Sequence, residues 1–385
     1  MSEWKKYPIK DVCIGIYDGP HATPPVSGSG GVFLGISNIT SDGHLNLSSI
    51  KYINNEDLPK WTKRVTPQKD DIVFSYEATL NLYAIIPEGF HGCLGRRMAL
   101  IRTDRTKVDN KFLFYYFFSK KWRDVIAERT ITGSTVDRIP IATFPTFPVE
   151  LPSIATQHRI ATILSRYDSL IENYQKQIKL LEEAAQRLYK EWFIDLHFPG
   201  HENTNIIDGA PEGWERKKVG EIAEFKRGKT ITKKDIVEGN VPVVAGGLEP
   251  AYYCNKHNTA SRVVTISGSG ANAGFTRLYY EKVWASDCSF ADTNTTKWLH
   301  FVYCFLQSSK SVIDNMQKGA AQPHVYAKDI NALNIMVPEA GLLSRFEDFA
   351  STYFNKVQSL QSQLRLLAEA RDSLLPKLMS GEITI

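Results

Sequence analysis

The sequence predicts an α+β protein in which a mixed module of strands and short helices occurs twice, each time followed by one long helix. Two observations predict this fold class. Apolar side chains recur in alternating steps of four and three over residues 167–192, and again over residues 353–378, which is the heptad pattern of a helix with one apolar seam. The residues before each heptad segment also match each other in order. We therefore expect an internal repeat.

The two seams predict that the long helices pack against each other. The first seam consists of Tyr167, Ile171, Tyr174, Ile178, Leu181, Ala185, Leu188 and Trp192. The second, 186 residues later, consists of Tyr353, Val357, Leu360, Leu364, Leu367, Leu374 and Leu378. Arg371 occupies the remaining position, so we expect it to interrupt the seam. We also expect the second helix to end near Pro376 and to be the shorter one, because proline disrupts a helix interior.

The register of the repeat indicates which part of the module varies. Trp4 matches Trp214 at an offset of 210 residues, whereas the offset from Phe112 onward is 186 without a gap. The second module has therefore lost 24 residues, all before Phe112. Modules of variable size on helices of fixed register suggest two heads of one kind that recognise different things.

Local patterns place the elements of each head. We predict strands at residues 31–39, 45–53, 71–75 and 98–102 of the first head, and at 241–244, 263–267 and 283–285 of the second. Helices are predicted at 111–127 and 297–313, and extended segments at 139–151 and 330–338. Ser153 is the expected N-cap of the first long helix, and residues 193–211, rich in Gly, Pro, Asn and Asp, are the expected linker.

Composition restricts the function classes. A chain of 385 residues fits two domains with connectors. No apolar run approaches the ~20 residues of a membrane span, and the first residues lack a secretory h-region. The five cysteines have no CxxC spacing and fit reduced, mostly buried thiols of a cytoplasmic protein.

The net charge is only +4, but residues 60–138 hold 15 Lys/Arg against 9 Asp/Glu. Both a solvated surface and a phosphate-facing patch fit that local excess.

Motifs for catalysis fail one by one. The segment RGKT at 227–230 lacks the upstream glycine of a P-loop, since Ala223 stands there. The Gly-rich segment at 267–274 lacks dinucleotide spacing and fits a tight loop better than a phosphate-binding one. Asp70, Asp71 and Glu77 resemble nuclease carboxylates only superficially and fit solvated loop acids better. We expect no catalytic residue and no metal site in this chain, which indicates binding rather than catalysis.

A set of segments then carries a resemblance over essentially the whole chain. The first half contains G-x-H-x-T-P at 19–24, FLGISNI (33–39), LNLSSIKYI (45–53), DIVFSYEATL (71–80), CLGRRM (93–98), TGSTVDRI (132–139), LPSIATQHRIATILSRYDSLI (151–171) and LLEEAAQRLYKEWF (180–193). The second half contains RGKTI (227–231), SGSGANAG (267–274) and GAAQPHV (319–325). With these segments in this order, the chain resembles the specificity (S) subunits of type I restriction–modification systems.

The resemblance implies an architecture with two mixed α/β target recognition domains, separated by two long helices that pack as an antiparallel coiled coil in a pseudo-two-fold repeat. The implied boundaries are residues 1–150 and 196–335 for the recognition domains, and 151–195 and 336–385 for the helices. Each recognition domain would bind one half of a bipartite double-stranded DNA target. The implied partners are two methyltransferase (M) subunits and the restriction (R) subunits. S-adenosylmethionine, ATP and Mg are expected on those partners, and no cofactor on this chain.

Candidate DNA-contacting residues follow from the loops that carry the resemblance. In the first head they are His21, Thr23, Tyr76, Glu77, Arg96, Arg97, Ser134, Thr135 and Arg138. In the second head they are Arg227, Lys229, Ser267, Ser269, Asn272, Gln322 and His324. Arg, Asn, Gln and hydroxyl side chains are the ones that discriminate base edges in the major groove. For each single residue, a surface or loop-stabilising role remains open.

Two further expectations concern the helices. Tyr189, Trp192 and Phe193 place large apolar groups at one helix end, which predicts an exposed patch for a partner subunit. The first seam spans about 38 Å at ~1.5 Å per residue, close to one DNA turn of roughly 34–36 Å, which suggests that helix length sets the unread spacer. A stand-alone DNA-modifying enzyme and a coiled-coil adaptor without a nucleic-acid role are the alternatives.

Overall fold

The computed structural model describes residues 4–133, 136–317 and 323–385. The chain divides into two compact units. Unit 1 comprises Met1–Glu172 and Arg365–Ile385, and unit 2 comprises Asn173–Leu364. Each unit therefore combines one head with parts of both long helices. Among the described helices, none combines the length and the apolar composition that a membrane span requires.

Unit 1 begins with short strands and ends on a long helix. Its strands are β1 (Lys5–Pro8), β2 (Cys13–Asp18), β3 (Gly31–Leu34), β4 (Lys51–Ile53), β5 (Ile72–Ser75), β6 (Tyr83–Ile85), β7 (Gly92–Leu94), β8 (Met98–Thr103) and β9 (Pro148–Leu151). Its helices are α1 (Leu58–Trp61), α2 (Asn110–Tyr116), α3 (Lys120–Arg129) and the first part of α4 (Ile154–Phe193). Short 3-10 turns lie at Ile9–Val12, Ile36–Asn38 and Phe144–Thr146.

Three small sheets organise unit 1. Strands β2, β8, β5 and β6 are antiparallel neighbours in that order. Strand β3 pairs antiparallel with β4 and parallel with β7, and β1 pairs antiparallel with β9. Strand β5 is buried on both faces, because α2 and α3 cover one face with aromatic side chains such as Phe112 and Trp122 while a separate apolar cluster around Leu34 covers the other.

Unit 2 contains the second head. Its strands are β10 (Ile206–Ile207), β11 (Ala210–Pro211), β12 (Glu215–Lys218), β13 (Lys226–Arg227), β14 (Val241–Val244), β15 (Tyr252–Cys254), β16 (Val263–Ser267), β17 (Thr276–Tyr279), β18 (Trp284–Ala285), β19 (Cys288–Asp292) and β20 (Asn334–Val337). Its helices are α5 (Val219–Ile222), α6 (Leu299–Ser308), α7 (Lys310–Asn315), α8 (Ala327–Asn331) and the first part of α9 (Ala340–Ser380). Further 3-10 turns lie at His201–Asn203 and Lys233–Asp235.

The second head repeats the topology of the first. Strands β13, β19, β16 and β17 are neighbours in the same antiparallel order as β2, β8, β5 and β6. Strand β14 pairs antiparallel with β15 and parallel with β18, and β12 pairs antiparallel with β20. These three pairings reproduce those of unit 1 one for one. The predicted α+β class and internal repeat are confirmed.

The missing residues of the second head lie mainly in two loops. The connection from β3 to β4 covers residues 35–50, whereas its equivalent between β14 and β15 covers only 245–251. The connection from β4 to β5 covers residues 54–71, whereas its equivalent between β15 and β16 covers only 255–262. Both loops precede Phe112, as the register predicted, so the sheets keep their pairing while the loops change length.

The long helices correct one prediction and confirm another. Helix α9 has 41 residues against 40 in α4, and Pro376 lies inside it. The second helix is therefore not the shorter one. Pro376 falls about one turn before the helix end at Ser380, so the helix continues only briefly past the bond that proline removes. Ser153 is confirmed as the N-cap of α4, since its Oγ accepts the backbone N–H of Thr156 at 3.3 Å.

Each unit contains an antiparallel helix pair. In unit 1, Leu164 near the start of α4 shares a core cluster with Leu378 near the end of α9. In unit 2, Tyr189 near the end of α4 packs against Phe346 near the start of α9, with ring centroids 6.0 Å apart. All predicted seam residues are buried or half-buried. Arg371 is not a break in the seam, because its Nη1 lies 2.8 Å from Asp168 Oδ1 and its side chain is only 12% exposed.

Other local predictions were partly wrong. The helix expected at 111–127 is two helices, because α2 ends at Tyr116 with Phe117 as its C-cap, and Ser119 then caps α3 by accepting the N–H of Trp122. The segment expected to be extended over 139–151 is a strand only at β9. Asp71 is not a solvated loop acid, since it is buried and forms a bidentate pair with Arg102 at 2.8–2.9 Å. The five cysteines are unpaired, and all but Cys13 are buried, as predicted.

Candidate nucleic-acid interface

Several predicted residues of the first head meet at one end of its four-stranded sheet. Strand β2 ends at Asp18, which pairs with Ala99, and β5 ends at Ser75, which pairs with Met98. The loops that follow these strands, and the turn that precedes β8, therefore emerge together. We call this end the first tip, comprising residues 18–23, 76–79, 95–97 and 136–138.

The centre of the first tip is a set of polar contacts around Tyr76. Its hydroxyl donates to the carbonyl of Arg96 at 3.1 Å. Burial raises the pKa of Tyr76, and the carboxylates of Asp18 and Glu77 raise it further, so the hydroxyl stays protonated. Glu77 forms an ion pair with Arg97, with 3.1 Å between Oε1 and Nε. The backbone of Glu77 also bridges to that of Arg138.

The loop after β2 adds charged groups to the first tip. His21 Nε2 lies 3.0 Å from Asp18 Oδ2. Arg64 contacts the same aspartate at 2.5 Å and donates to the carbonyl of Gly19 at 3.1 Å. Thr23 is exposed on this loop, and Arg96 and Arg138 are exposed on theirs. The first tip thus presents guanidinium groups and an imidazole to solvent beside three carboxylates, those of Asp18, Glu77 and Asp137.

The second head brings its candidates to the equivalent end of its sheet. Strand β13 ends at Arg227, which pairs with Ser289, and β16 ends at Ser267, which pairs with Cys288. The Gly-rich segment that follows β16 is a closed loop, since Ser267 N–H donates to Phe275 O and Gly274 N–H donates back to Ser267 O, both at 2.9 Å. We call this end the second tip, comprising residues 227–229, 267–272, 286–289 and 323–326.

Side chains of the second tip enclose a small cleft. Arg227, Asp287, Ser289, His324 and Tyr326 line it. His324 stacks on Tyr326 with 5.9 Å between ring centroids, and Ser269 donates its hydroxyl to Asp287. Two other predicted residues lie on the same loops: Lys229 is exposed, and Asn272 is half-buried with its carbonyl accepting from Phe275 N–H.

Some predicted residues need correction. Tyr76 and Ser267 are only 6% and 4% exposed, so direct base contact is wrong for them in this structure. The Tyr76 hydroxyl instead holds the neighbouring turn through the Arg96 carbonyl, whereas the Ser267 hydroxyl is buried and makes no hydrogen bond within the described residues. Ser134, Thr135 and Gln322 lie outside the described residues. For the other candidates, DNA contact remains a prediction.

The two tips share one backbone frame. In the first, Tyr76 N–H donates to Arg97 O at 3.1 Å and Ile139 N–H donates to Tyr76 O at 2.7 Å. In the second, the matching bonds run from Gly268 N–H to Asp287 O and from Val325 N–H to Gly268 O, both at 3.1 Å. The bridge between Glu77 and Arg138 likewise corresponds to a bridge between Ser269 and His324. Positions 77/269, 97/287 and 138/324 are therefore equivalent.

Five residues at the tips were not predicted from the sequence: Asp18, Arg64, Asp287, Ser289 and Tyr326. Asp287 was missed because its match to Arg97 has an offset of 190, not the 186 of the helical part. The offset shifts at every loop of different length, so sequence register alone does not align the tips. Only the alternation of strands and loops around residues 283–292 could have indicated that Asp287 occupies a strand end.

The predicted partner patch is also wrong. Tyr189, Trp192 and Phe193 are 4%, 7% and 7% exposed. Phe193 packs within 5.0–5.9 Å, between ring centroids, of Phe301, Phe346 and Trp214. Aromatic groups at this helix end belong to the core of unit 2 rather than to an exposed surface.

Comparisons with known proteins agree with this architecture. Residues 1–183 and 211–342 match the family described as type I restriction modification DNA specificity domain. The MjaIX specificity subunit of Methanocaldococcus jannaschii is 28% identical over 303 residues, covering 72% of this chain and 70% of that protein. The HindI specificity subunit of Haemophilus influenzae is 21% identical with both chains covered in full.

A solved structure shares the fold. The S subunit of a type I restriction–modification system from M. genitalium superimposes with a TM-score of 0.62 at 20% sequence identity, over 98% of this chain and 96% of that one. The repeated head and the long helices of the structure thus agree with the two segments that match the family. The chain belongs to the family of type I restriction–modification DNA specificity domains.

Proposed function

We propose that this chain is the DNA-recognition subunit of a type I restriction–modification complex and that each tip binds one half of a bipartite target. The observation that carries this proposal is the pair of tips, in which one backbone frame presents different polar side chains. Two identical tips would suit a symmetric target. Tips with Arg97 and Asp287 at the same position suit two different half-sites.

The chemistry of the tips fits base-edge recognition. Guanidinium groups donate to guanine O6 and N7, whereas carboxylate and hydroxyl oxygens accept from the amino groups of cytosine or adenine. Lys and Arg side chains around such a centre fix the position of the duplex through its phosphates. Exposed Arg96 and Lys229 suit that second role. We expect the spacer between the half-sites to be unread.

The recognition sequence tests this proposal. Co-expression of the chain with its methyltransferase subunit, followed by genome-wide mapping of methylated positions, should give one motif with two specific half-sites and unspecified bases between them. Methylation without sequence preference, or a single uninterrupted motif, would contradict the proposal. A complex that does not bind duplex DNA in a salt-sensitive way would favour a coiled-coil adaptor instead.

We further propose that each long helix offers one docking surface to a methyltransferase subunit. Leu180 and Leu366 are equivalent in the repeat and are 53% and 59% exposed. The neighbouring ion pair is repeated too: Lys179 lies 3.9 Å from Glu183, and Arg365 lies 3.9 Å from Glu369. The pairs Gln177/Gln363 and Ala184/Ala370 extend the same identical helix face.

The two halves of the chain have diverged, yet they keep identical residues on this exposed helix face, and this identity needs an explanation. Seam residues are retained because they pack, but an exposed leucine costs solvation and adds no packing. The same exposed face occurring twice fits two copies of one partner, which supports two methyltransferase subunits per chain. This face replaces the buried aromatic set, which is no longer a candidate.

Single substitutions test the docking proposal. Leu180→Asp or Leu366→Asp should each reduce the number of methyltransferase subunits per chain from two to one, as measured by native mass spectrometry. Leu170→Asp is the matched control, because Leu170 is also exposed but its repeat equivalent is Lys356. Unchanged stoichiometry in both variants, or the same loss in the control, would contradict the proposal.

The remaining roles belong to the partners. We propose that the chain itself is not catalytic, acts in the cytoplasm, and also recruits restriction subunits. S-adenosylmethionine, ATP and Mg would then bind the methyltransferase and restriction subunits. Isothermal titration of the isolated chain with S-adenosylmethionine tests this assignment, and saturable binding would contradict it.

A further inference from the structure

We infer that the base preference of each half-site is set by the side chains at three equivalent positions: 77, 97 and 138 in the first tip, and 269, 287 and 324 in the second. This inference rests on the proposed function and assigns the specificity of the same site.

The backbone at these positions does not distinguish the tips. Two equivalent N–H···O bonds and one equivalent bridge hold both frames, with N···O distances of 2.7–3.1 Å. At these three positions, a difference in base preference therefore comes from the side chains. These are Glu77, Arg97 and Arg138 in one tip, and Ser269, Asp287 and His324 in the other.

The side chains differ in charge and in hydrogen-bonding role. At position 97/287 the charge reverses, from a guanidinium that only donates to a carboxylate that only accepts. The neighbour at 77/269 follows this change: Glu77 forms an ion pair with Arg97, whereas Ser269 donates to Asp287. At 138/324 an exposed arginine is replaced by a half-exposed histidine stacked on Tyr326.

Stability does not explain why these groups are present. The side chains of Glu77 and Arg97 are only about one-third exposed, and Arg97 Nε is buried and makes no hydrogen bond within the described part of the chain. Such an arrangement costs stability rather than adding to it. Arg138 is exposed beyond this pair. Polar groups placed together at a loop end, without a structural need, suit contact with a polar ligand.

The chemistry assigns a class of base edge to each tip. Arg138 suits the two acceptors of guanine in the first half-site. Asp287 suits a base with an exocyclic amino group, cytosine or adenine, in the second half-site. Each assignment predicts which base substitutions the complex rejects.

An exchange of side chains tests the inference in the full chain bound to its methyltransferase partner. One variant carries Glu77→Ser, Arg97→Asp and Arg138→His, so that the first tip presents the side chains of the second. Each complex is used to select duplexes from a pool randomised around the natural target, a measurement of binding that needs no methylation.

The expected result is confined to one half-site. The discrimination for guanine in the first half-site should fall on the order of tenfold or more, with the second half-site selected as in the natural complex. An unchanged first half-site, or a change in the second half-site, would overturn the inference. If the natural complex selects no bipartite sequence at all, the proposed function fails instead.

Two further variants keep the test decisive. Arg138→His alone alters an exposed side chain, so it should fold and should relax the first half-site even if the triple variant does not fold. Arg105→Asp is the matched charge control. Arg105 pairs with Asp70 beyond the opposite end of β8, and this variant should select the natural target.

Discussion

The helix pair of unit 1 contains an ionic contact where the helix pair of unit 2 has apolar side chains at the equivalent positions. In unit 1, Asp168 of α4 accepts from Arg371 of α9 at 2.8 Å and from the hydroxyl of Tyr115 at 2.5 Å. The repeat equivalents in unit 2 are Phe354 for Asp168, Ala185 for Arg371 and Phe301 for Tyr115, and all three are buried in one apolar cluster. A shared seam therefore accepts either a complete ionic set or an apolar one.

The ionic set consists of Tyr115, Asp168 and Arg371, and its stability depends on all three side chains. Burial raises the pKa of Tyr115, and the Asp168 carboxylate raises it further, so the hydroxyl stays protonated and remains a donor. Asp168 and Arg371 are 17% and 12% exposed. A buried ion pair of this kind adds little net stability, but loss of one partner leaves the other charge without compensation. The apolar set instead depends on volume.

The largest effect should come from the apolar set. Phe354 is 1% exposed and stacks on the His300 ring with 4.9 Å between centroids. Phe354→Ala should lower the free energy of unfolding by about 4 kcal/mol, because a buried cavity replaces the ring. Urea denaturation of the full chain measures this. Phe349→Ala, at a ring 50% exposed, should cost under about 1 kcal/mol. Equal losses would show that burial does not govern this helix pair.

The next effect should come from the ionic set. Arg371→Ala should cost about 3 kcal/mol, since it leaves the mostly buried Asp168 carboxylate with Tyr115 as its remaining partner. Adding Asp168→Asn should recover part of that loss because the orphaned group is then neutral. Arg365→Ala is the control. Its side chain is 71% exposed and 3.9 Å from Glu369, so a cost near 0.5 kcal/mol or less is expected. A cost for Arg371→Ala as small as the control would mean that the pair is solvated.

The smallest effect should come from the hydroxyl group. Tyr115→Phe gives unit 1 the side-chain type that unit 2 has at position 301. The expected cost is about 1.5 kcal/mol, the value of one hydrogen bond to a charged group, and less than that of Arg371→Ala because the ion pair persists. Thermal unfolding by circular dichroism measures the difference. A loss larger than that of Arg371→Ala would make the tyrosine the main partner of Asp168.

Sequence pattern predicted the helical half of the molecule well and the heads less well. The seam and the repeat register were visible because a heptad helix imposes a fixed period on every turn. Arg371 could not be placed from its own helix, because its partner Asp168 lies 203 residues away and off the seam of α4. Pro376 was misjudged because proline near a helix end removes a single hydrogen bond that the last turn tolerates.

The candidate site was predicted in part. Glu77, Arg97 and Arg138 were named from loops, and the structure brings them together through the bridge between residues 77 and 138. Burial of Tyr76 and Ser267 was not predictable, because their strands end under loops whose path depends on tertiary contacts. The equivalence of Arg97 and Asp287 became visible only from the strand pairing, because the sequence offsets of 186 and 210 do not align these two residues.

A thermodynamic cycle between protein and DNA tests the central claim, that one frame used twice recognises two different half-sites. Binding of the methyltransferase complex is measured by fluorescence anisotropy for the natural chain and Arg138→Ala, each with the natural duplex and with duplexes altered in one half-site. We expect a coupling of about 1–3 kcal/mol between Arg138 and a guanine of the first half-site, and coupling near zero with every base of the second. Coupling to the second half-site, or to neither, would contradict it.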